Sequence, residues 1–499
     1  MYTRAAASDY DDWETVYKNP GWGSKYLIPL LKKVETYQPG GSAVHGTSGP
    51  IKVSYMEGET NVADQYLAVA SQYDKERGFT DDVNDFFNCN RYGELSNLTT
   101  VERRRVVRVL FENNRAVGVE HVGDAEGRVK GEVVPLKSYA SRLVVLSAGA
   151  FGSPAILERY SATFLLHLTG STVILKRSGI GAADVLKRNN IPQFVDLPGV
   201  GEHYMDHNLI FAPYIASEDA DTLDDLFSGK DEELEPYATR WEKDGGGLMR
   251  HNGIDAGIKM RPNAEDLREI GPEFQPRWSA YFANAPDKPV AWIGTLAAYA
   301  GGNPTVPRGK YFSFGYYTEY PFSVGRVHIT SGLDAYGKLD FEPGYLDHIY
   351  DMGVLRWGYK KSREFARRMD CYRGELKIGH PVFPAGSKAK TDESAKPVPI
   401  DAPDIEYSAE DNKAIDEFHR GNVQTSWHSI GTCAMKPREE GGVVDANLNV
   451  YGTVNLKVAD CSIAPANVSA NTYNTALAIG EKAAVIIAKE LGISGVSEA

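Results

Sequence analysis

The chain has 499 residues, 42% of them hydrophobic and 24% charged, which is ordinary for a globular protein with a large core. Its 54 basic and 67 acidic residues give a net charge of −13, which argues against a nucleic-acid or anionic-membrane surface. The four cysteines, Cys89, Cys371, Cys433 and Cys461, show no CxxC spacing, so we expect neither a metal site nor a disulfide framework. No apolar run approaches the roughly 18 residues of a membrane span.

The first clear strand pattern in chain order is RRVVRVLFENNRAVGVEHV, residues 104–122. Apolar residues alternate on both sides of Asn113 and Asn114, which predicts a β-hairpin that turns at these asparagines. The segment SRLVVLSAGAFGSPAIL follows, and it predicts a buried strand over residues 143–147. Its glycines then lead into a helix that we expect Pro154 to start.

The middle of the chain, residues 204–400, mixes acidic loops with strand-like runs such as KYFSFGYYTEYPF and GRVHITS. This pattern predicts a separate, mainly antiparallel sheet. Near the C-terminus, residues 474–492 have the apolar spacing of an amphipathic helix. We expect Asn474 or Thr475 to cap the start of this helix and Gly492 to end it.

Two strand-to-helix turns, LSAGAFGSP and ADCSIAPANVSANTYNTALAIGE, have a geometry that can hold a phosphate or a ring carbonyl. Each is a weak signal, because such turns also occur wherever an α/β sheet changes direction. The dinucleotide fingerprint GxGxxG does not occur in the sequence.

In TSWHSIGTCAM, His428 lies among apolar residues, where a histidine is more commonly structural than catalytic. The residues alone leave both roles open.

At these motifs the sequence resembles the glucose-methanol-choline (GMC) flavin oxidoreductases and, within them, the fungal and yeast alcohol oxidases. The matching segments occur in family order: MYTRAAASDYDDW, LSAGAFGSPAIL with SGIG, LPGVGEHYMDH, YPFSVGRVHITS, WHSIGTCAM and NTYNTALAIGEKAA. The resemblance implies an α/β, Rossmann-like FAD-binding domain of the GMC type that is incomplete in this chain. It also implies an α+β substrate domain with an antiparallel sheet.

The resemblance divides the chain into five segments. Residues 1–50 would be a remnant that follows the family's N-terminal FAD-binding unit, and 51–97 a substrate-domain segment with an internal deletion. Residues 98–203 would belong to the FAD-binding domain, 204–430 to the substrate-binding domain, and 431–499 to a C-terminal FAD-binding and catalytic segment.

An 18-residue block, residues 160–177, splits a family signature. We predict that this block is a translated, retained intron, because its removal joins GSPAILER to SGIG without changing the reading frame. A genuine surface insertion is the alternative, since long loops cost little in closure entropy.

The resemblance assigns three residues to the chemistry of the site. His428 would accept the hydroxyl proton of an alcohol, which suits an imidazole because its pKa lies near the operating pH. Asn471 would donate a hydrogen bond to the substrate oxygen; otherwise it is a turn residue before the last helix. Trp427 would wall the pocket and keep the alcohol small; otherwise it is a core residue.

FAD is the implied cofactor, and the resemblance places seven residues near it. They are Val106 by its backbone at the adenine, Ser147, Ala148 and Gly149 along the adenosine half, Asp460 near the ribityl and pyrophosphate region, and Thr472 and Thr475 at the start of the last helix. The positive N-terminal end of that helix would stabilise reduced flavin.

The implied reaction is oxidation of a short-chain primary alcohol to an aldehyde with reduction of O₂ to H₂O₂. Three alternatives remain. The protein is a GMC dehydrogenase with a quinone acceptor, an enzyme for aryl or other larger alcohols, or a non-catalytic, flavin-free remnant or mispredicted gene product. We expect a small alcohol and O₂ as partners, no nucleic acid and no membrane, with a homo-oligomer as one option. The resemblance implies a peroxisomal location; the chain ends GVSEA, without the SKL-type tripeptide, so the cytoplasm is the alternative.

Overall fold

A computed structural model describes residues 2–38, 43–54, 60–80, 84, 86–87, 89–90, 92–94, 104–123, 136–159, 176–227, 230–254, 256–301, 303–332, 334–469 and 471–496. Two large hydrophobic cores organise these residues. The first gathers both ends of the chain and includes Trp13, Leu146 and Val458. The second lies mainly in the middle of the chain and includes Phe314 and Trp357.

The helices and strands are numbered in chain order. The helices are α1 (Ala7–Thr15), α2 (Ser24–Val34), α3 (Asn61–Tyr73), α4 (Gly149–Glu158), α5 (Ala183–Arg188), α6 (Asp224–Phe227), α7 (Asp231–Asp244), α8 (Ala264–Ile270), α9 (Gln275–Arg277), α10 (Ile349–Ala366), α11 (Ala409–Asn422) and α12 (Tyr473–Leu491). The strands are β1 (Glu35–Tyr37), β2 (Ile51–Val53), β3 (Tyr92–Glu94), β4 (Arg104–Glu112), β5 (Arg115–Gly123), β6 (Leu136–Tyr139), β7 (Val144–Leu146), β8 (Lys176–Arg177), β9 (Ile180–Gly181), β10 (Val195–Asp196), β11 (Leu209–Ala216), β12 (Ala256–Met260), β13 (Ala291–Leu296), β14 (Tyr311–Thr318), β15 (Arg326–Ile329), β16 (Leu339–Glu342), β17 (Tyr372–Glu375) and β18 (Leu456–Val458).

The second core is built on a six-stranded sheet in the order β17-β11-β14-β13-β12-β3. All of its pairings are antiparallel, as predicted for the middle of the chain, and the run KYFSFGYYTEYPF contributes β14. The run GRVHITS is not part of this sheet: it contributes β15, which pairs with β16 in a separate two-stranded sheet. Every residue of β14 is buried: helix α10 packs against the strand, and the rings of His207 and His428 contact Tyr317. This explains why β14 reads as a continuous aromatic run rather than an alternating one.

The first core contains the parallel pair β7 and β18, with Leu146 opposite Val458. Parallel pairing brings the carboxyl ends of the two strands to the same edge. Ser147 and Asp460 therefore follow neighbouring strand ends, although 313 positions separate them in the sequence. The hairpin β4–β5 turns at Asn113 and Asn114 as predicted.

Helix α4 does not begin at Pro154, as the sequence suggested. It begins at Gly149 and contains the proline. Proline has no N–H to donate to the carbonyl four residues earlier, which is that of Ala150. The Thr432 hydroxyl donates to this carbonyl at 2.6 Å instead, so the helix continues through the proline.

The expected cap of the last helix is also wrong. Thr472 precedes α12 and caps nothing with its side chain, while Asn474 and Thr475 lie inside the first turn. Gly492 ends the helix in the left-handed region, at φ 66°, as predicted.

Most of the suspected intron, residues 160–175, lies outside the described residues, whereas Lys176 and Arg177 form β8 and pair with β4. The intron, the five segment boundaries and the incompleteness of the FAD-binding domain stay predictions. Among the helices of the described ranges, none combines the length and the apolar character that crossing a membrane requires.

Candidate active site

A cavity of about 80 Å³ lies between the antiparallel sheet and the segment that carries His428. Leu209 on β11, Trp292 on β13 and Tyr317 on β14 contribute apolar walls. Asn471 and His428 line the cavity as well, and Ser426 and Thr295 are further polar residues in its mainly apolar lining. The small volume and apolar walls suit a small molecule with a single polar group.

His428 and Asn471 are hydrogen-bonded across the cavity wall, with 2.7 Å between His428 Nε2 and Asn471 Nδ2. The Thr3 hydroxyl fixes the orientation of the amide, because it accepts from the Asn471 backbone N–H and donates to Asn471 Oδ1, both at 2.9 Å. The amide nitrogen therefore faces the imidazole and donates to it. It follows that Nε2 of His428 is an acceptor that carries a lone pair.

The segment before His428 is held by the buried carboxylate of Asp206. Its Oδ1 accepts from the Ser426 hydroxyl at 2.7 Å and from the His428 backbone N–H at 3.2 Å, and Oδ2 accepts from the Tyr204 hydroxyl at 3.1 Å. These bonds hold Trp427 at φ 61°, an uncommon conformation for a bulky residue, with 72% of its surface exposed. Trp427 thus lies at the cavity rather than in the core.

The pKa of His428 lies well below its usual value, because the ring is buried. Burial also lowers the pKa of His207 to about 4. The expectation that His428 titrates near the operating pH is therefore wrong for this environment. Both rings are neutral at physiological pH, and neutral His428 is already the form that accepts a proton.

A second group of predicted residues meets where β7 and β18 end. Asp460 Oδ2 accepts from the Gly149 backbone N–H at 3.0 Å and from the Ser153 hydroxyl at 2.6 Å. The Ala148 N–H donates to the Ser153 hydroxyl, and the Ser147 hydroxyl donates to a neighbouring carbonyl. Gly149 has φ 73° and open space where a Cβ would be, which leaves its backbone approachable.

The other predicted cofactor residues lie on different elements. Val106 is on β4, in a different sheet from β7, and adjoins an irregularity in the strand register. Thr472 directly precedes α12. The hydroxyl of Thr475 lies in the first turn of that helix, 3.4 Å from the hydroxyl of Tyr10.

These surroundings fit FAD chemically. The carboxylate of Asp460 can accept hydrogen bonds from ribityl hydroxyl groups. The N-terminal end of α12, which no side chain caps, carries partial positive charge suited to an electron-rich ring. In its first turn, Asn474 Oδ1 is buried and has no hydrogen-bond partner among the described residues, so it could accept from a ring N–H.

Sequence reasoning assigned no role to three residues that complete the site: Asp206, His207 and Thr3. The first two lie in the quoted motif LPGVGEHYMDH, directly before β11, and this pairing of an acid with a histidine was a usable signal. Thr3 gave no such signal, because it lies 468 positions from the residue it orients. No group of potential metal ligands occurs within the described ranges.

Residues 321–480 match the family model described as GMC oxidoreductase. The chain is 36% identical to the alcohol oxidase of Pichia angusta and 34% identical to that of Candida boidinii. Each alignment covers 99% of this chain and 82% of the relative. The chain belongs to the GMC oxidoreductase family.

Solved structures agree on the fold. A formate oxidase of Aspergillus oryzae superposes with a TM-score of 0.76 at 20% identity, covering 98% of this chain and 82% of that one. A fungal aryl-alcohol oxidase gives a TM-score of 0.69 at 18% identity, covering 99% and 84%. As a GMC oxidoreductase related to alcohol oxidases, the protein is an FAD-dependent oxidoreductase that acts on CH–OH donors and oxidises alcohols.

Proposed function

We propose that this enzyme oxidises short-chain primary alcohols to aldehydes and passes the electrons to O₂, forming H₂O₂. The observation that carries the proposal is the pair of His428 and Asn471 beside a small cavity with apolar walls. One alcohol hydroxyl needs one proton acceptor and one donor, and this pair offers both. The alcohol oxidase relatives support the same choice of substrate.

His428 is the proposed base and Asn471 the proposed donor. The alcohol hydroxyl would replace the direct hydrogen bond between the two side chains: it would give its proton to Nε2 of His428 while its oxygen accepts from the Asn471 amide. Bound FAD supplies the acceptor for the hydride that leaves the carbon. Asp460, Gly149 and the start of α12 would hold this cofactor.

The cavity sets the proposed substrate size. Trp427 lies at the cavity and is largely exposed, so its removal should widen the site with little loss of stability. We expect Trp427→Ala to raise kcat/KM for longer alcohols relative to methanol. Trp241→Ala is the matched control, because Trp241 is an exposed tryptophan of α7 outside the cavity. Equal chain-length profiles in both variants would contradict the size argument.

The reaction itself is tested by measuring O₂ consumption and H₂O₂ formation with methanol, ethanol and benzyl alcohol, on protein supplied with FAD. We expect methanol or ethanol to be turned over faster than benzyl alcohol. Faster turnover of benzyl alcohol would indicate an aryl-alcohol enzyme, and turnover only with an added quinone would indicate a dehydrogenase. No turnover with FAD bound would indicate a non-catalytic remnant. The peroxisomal location and a homo-oligomer remain predictions.

A further inference from the structure

We propose that His207 is a positioning residue that, together with Ser426, sets the tautomer of His428, so that Nε2 of His428 keeps the lone pair that takes the substrate proton. The inference rests on the proposed role of His428 as the base. It assigns to His207 no contact with the substrate, because its effect passes through the neighbouring ring.

The first step is the main-chain anchor of His207. Its Nε2 lies 3.0 Å from the carbonyl oxygen of Val468, in a fully buried position. A carbonyl oxygen can only accept a hydrogen bond, so Nε2 of His207 must carry a hydrogen. In the neutral ring the other nitrogen, Nδ1, is then an acceptor.

Because Nδ1 of His207 is an acceptor, it also determines which nitrogen of His428 carries the hydrogen. The Nδ1 atoms of His207 and His428 are 2.9 Å apart, so one of them must donate. Since Nδ1 of His207 is an acceptor, Nδ1 of His428 carries the hydrogen. Neutral His428 therefore keeps its lone pair on Nε2, the nitrogen that faces Asn471.

An independent contact gives the same answer. The Ser426 hydroxyl lies 2.8 Å from Nδ1 of His428, and it donates its own proton to Asp206 at 2.7 Å. The serine oxygen is then available only as an acceptor at His428. His207 and Ser426 therefore share the single hydrogen on Nδ1 of His428.

Packing keeps the His207 ring in this orientation. Its plane lies 3° from that of Tyr317, with ring centroids 4.9 Å apart. A ring flip would take Nε2 away from the Val468 carbonyl and leave a buried acceptor without its donor, which is unfavourable. The orientation of His207 is therefore a fixed part of the site.

This tautomer is the one that proton transfer needs. The alcohol O–H bond breaks, the proton forms a bond with Nε2 of His428, and the positive charge appears on that ring. The hydrogen on Nδ1 stays directed at His207, whose lone pair stabilises the imidazolium. In the opposite tautomer Nε2 already holds a hydrogen and cannot accept the proton.

Three substitutions of His207 separate this role from packing. His207→Asn places a carbonyl oxygen near the position of Nδ1, His207→Leu has a similar shape without an acceptor, and His207→Phe keeps the stacked ring without an acceptor. We expect kcat to fall at least about 10-fold in the leucine and phenylalanine variants, with KM little changed, and most activity to survive in the asparagine variant. If His207→Phe kept its activity and His207→Asn lost it, ring packing rather than the acceptor would matter, and the proposal would be overturned.

Imidazole ¹⁵N spectra of histidine-labelled protein give a second reading that does not depend on turnover. We expect His428 to carry its hydrogen on Nδ1 in the wild type and in His207→Asn, and to show a larger Nε2–H fraction in His207→Leu, where Ser426 is left as the one acceptor at Nδ1 among the partners described above. An Nε2–H tautomer in the wild type would overturn the proposal. Full turnover in His428→Ala would instead contradict the proposed function and leave the spectra unaffected.

Discussion

The buried imidazole of His328 gives the sharpest prediction about stability. Its Nδ1 lies 2.7 Å from Glu158 and its Nε2 lies 3.0 Å from Glu202. Burial alone would lower the pKa of His328, but the hydrogen bonds to the two glutamates outweigh it and raise the pKa to about 9. This ion pair joins the end of α4 to β15, and Glu158 also accepts from the backbone N–H of Ile329.

The sign and size of the effect follow from that shift. A pKa raised from 6.5 to about 9 stabilises the fold fully below pH 6.5, and this contribution is lost as the pH rises towards 9. At about 1.36 kcal/mol per unit, the contribution is at most about 3 kcal/mol. Since the side chain of Glu202 is 43% exposed, solvent screening reduces this to about 2 kcal/mol.

The assay compares unfolding temperatures at about pH 6 and about pH 10 in the wild type and in His328→Gln, because the difference between the two proteins removes other titrating groups. We expect the wild type to lose more stability than the variant as the pH rises. The control Glu202→Gln keeps the buried partner Glu158. In this variant the loss of stability should begin at a lower pH than in the wild type. The same pH dependence in the wild type and His328→Gln would refute the reasoning.

Three further predictions concern the site and its support. Thr3→Val should lower kcat because the amide of Asn471 loses its fixed orientation, while Thr3→Ser, which keeps the hydroxyl, should not; equal kinetics in both would contradict this. Thr432→Val should lower the free energy of unfolding by about 1–3 kcal/mol, because it leaves the Ala150 carbonyl unsatisfied. Thr432→Ser should lower it less, and denaturant unfolding of both variants measures the difference. Because the pKa of His428 is lowered, the base stays neutral and kcat/KM should not fall as the pH drops through about 6.5; a decline centred there in a pH–rate profile would contradict this assignment.

The sequence predicted those parts of the fold that depend on local pattern. Alternation around Asn113 located the hairpin, and strand-like runs located the antiparallel sheet. The resemblance to the GMC family supplied His428 and Asn471, which lie 43 positions apart and are hydrogen-bonded.

Long-range hydrogen bonds could not be predicted in this way. Helix α4 continues through Pro154 because Thr432, 282 positions from its partner Ala150, supplies the missing donor. His207 lies 221 positions from His428, and its influence depends on the direction of two ring nitrogens. Burial likewise depends on the assembled cores, which is why the usual histidine pKa was a poor guide to His428.

The proposed function depends above all on His428 as the acceptor of the substrate proton in FAD-dependent alcohol oxidation. The most direct measurement is the anaerobic rate at which methanol bleaches the flavin absorbance of FAD-loaded protein, in the wild type and in His428→Ala. We expect both proteins to bind FAD and the variant to react at least about 10²-fold more slowly. Equal bleaching rates in the two proteins would contradict it.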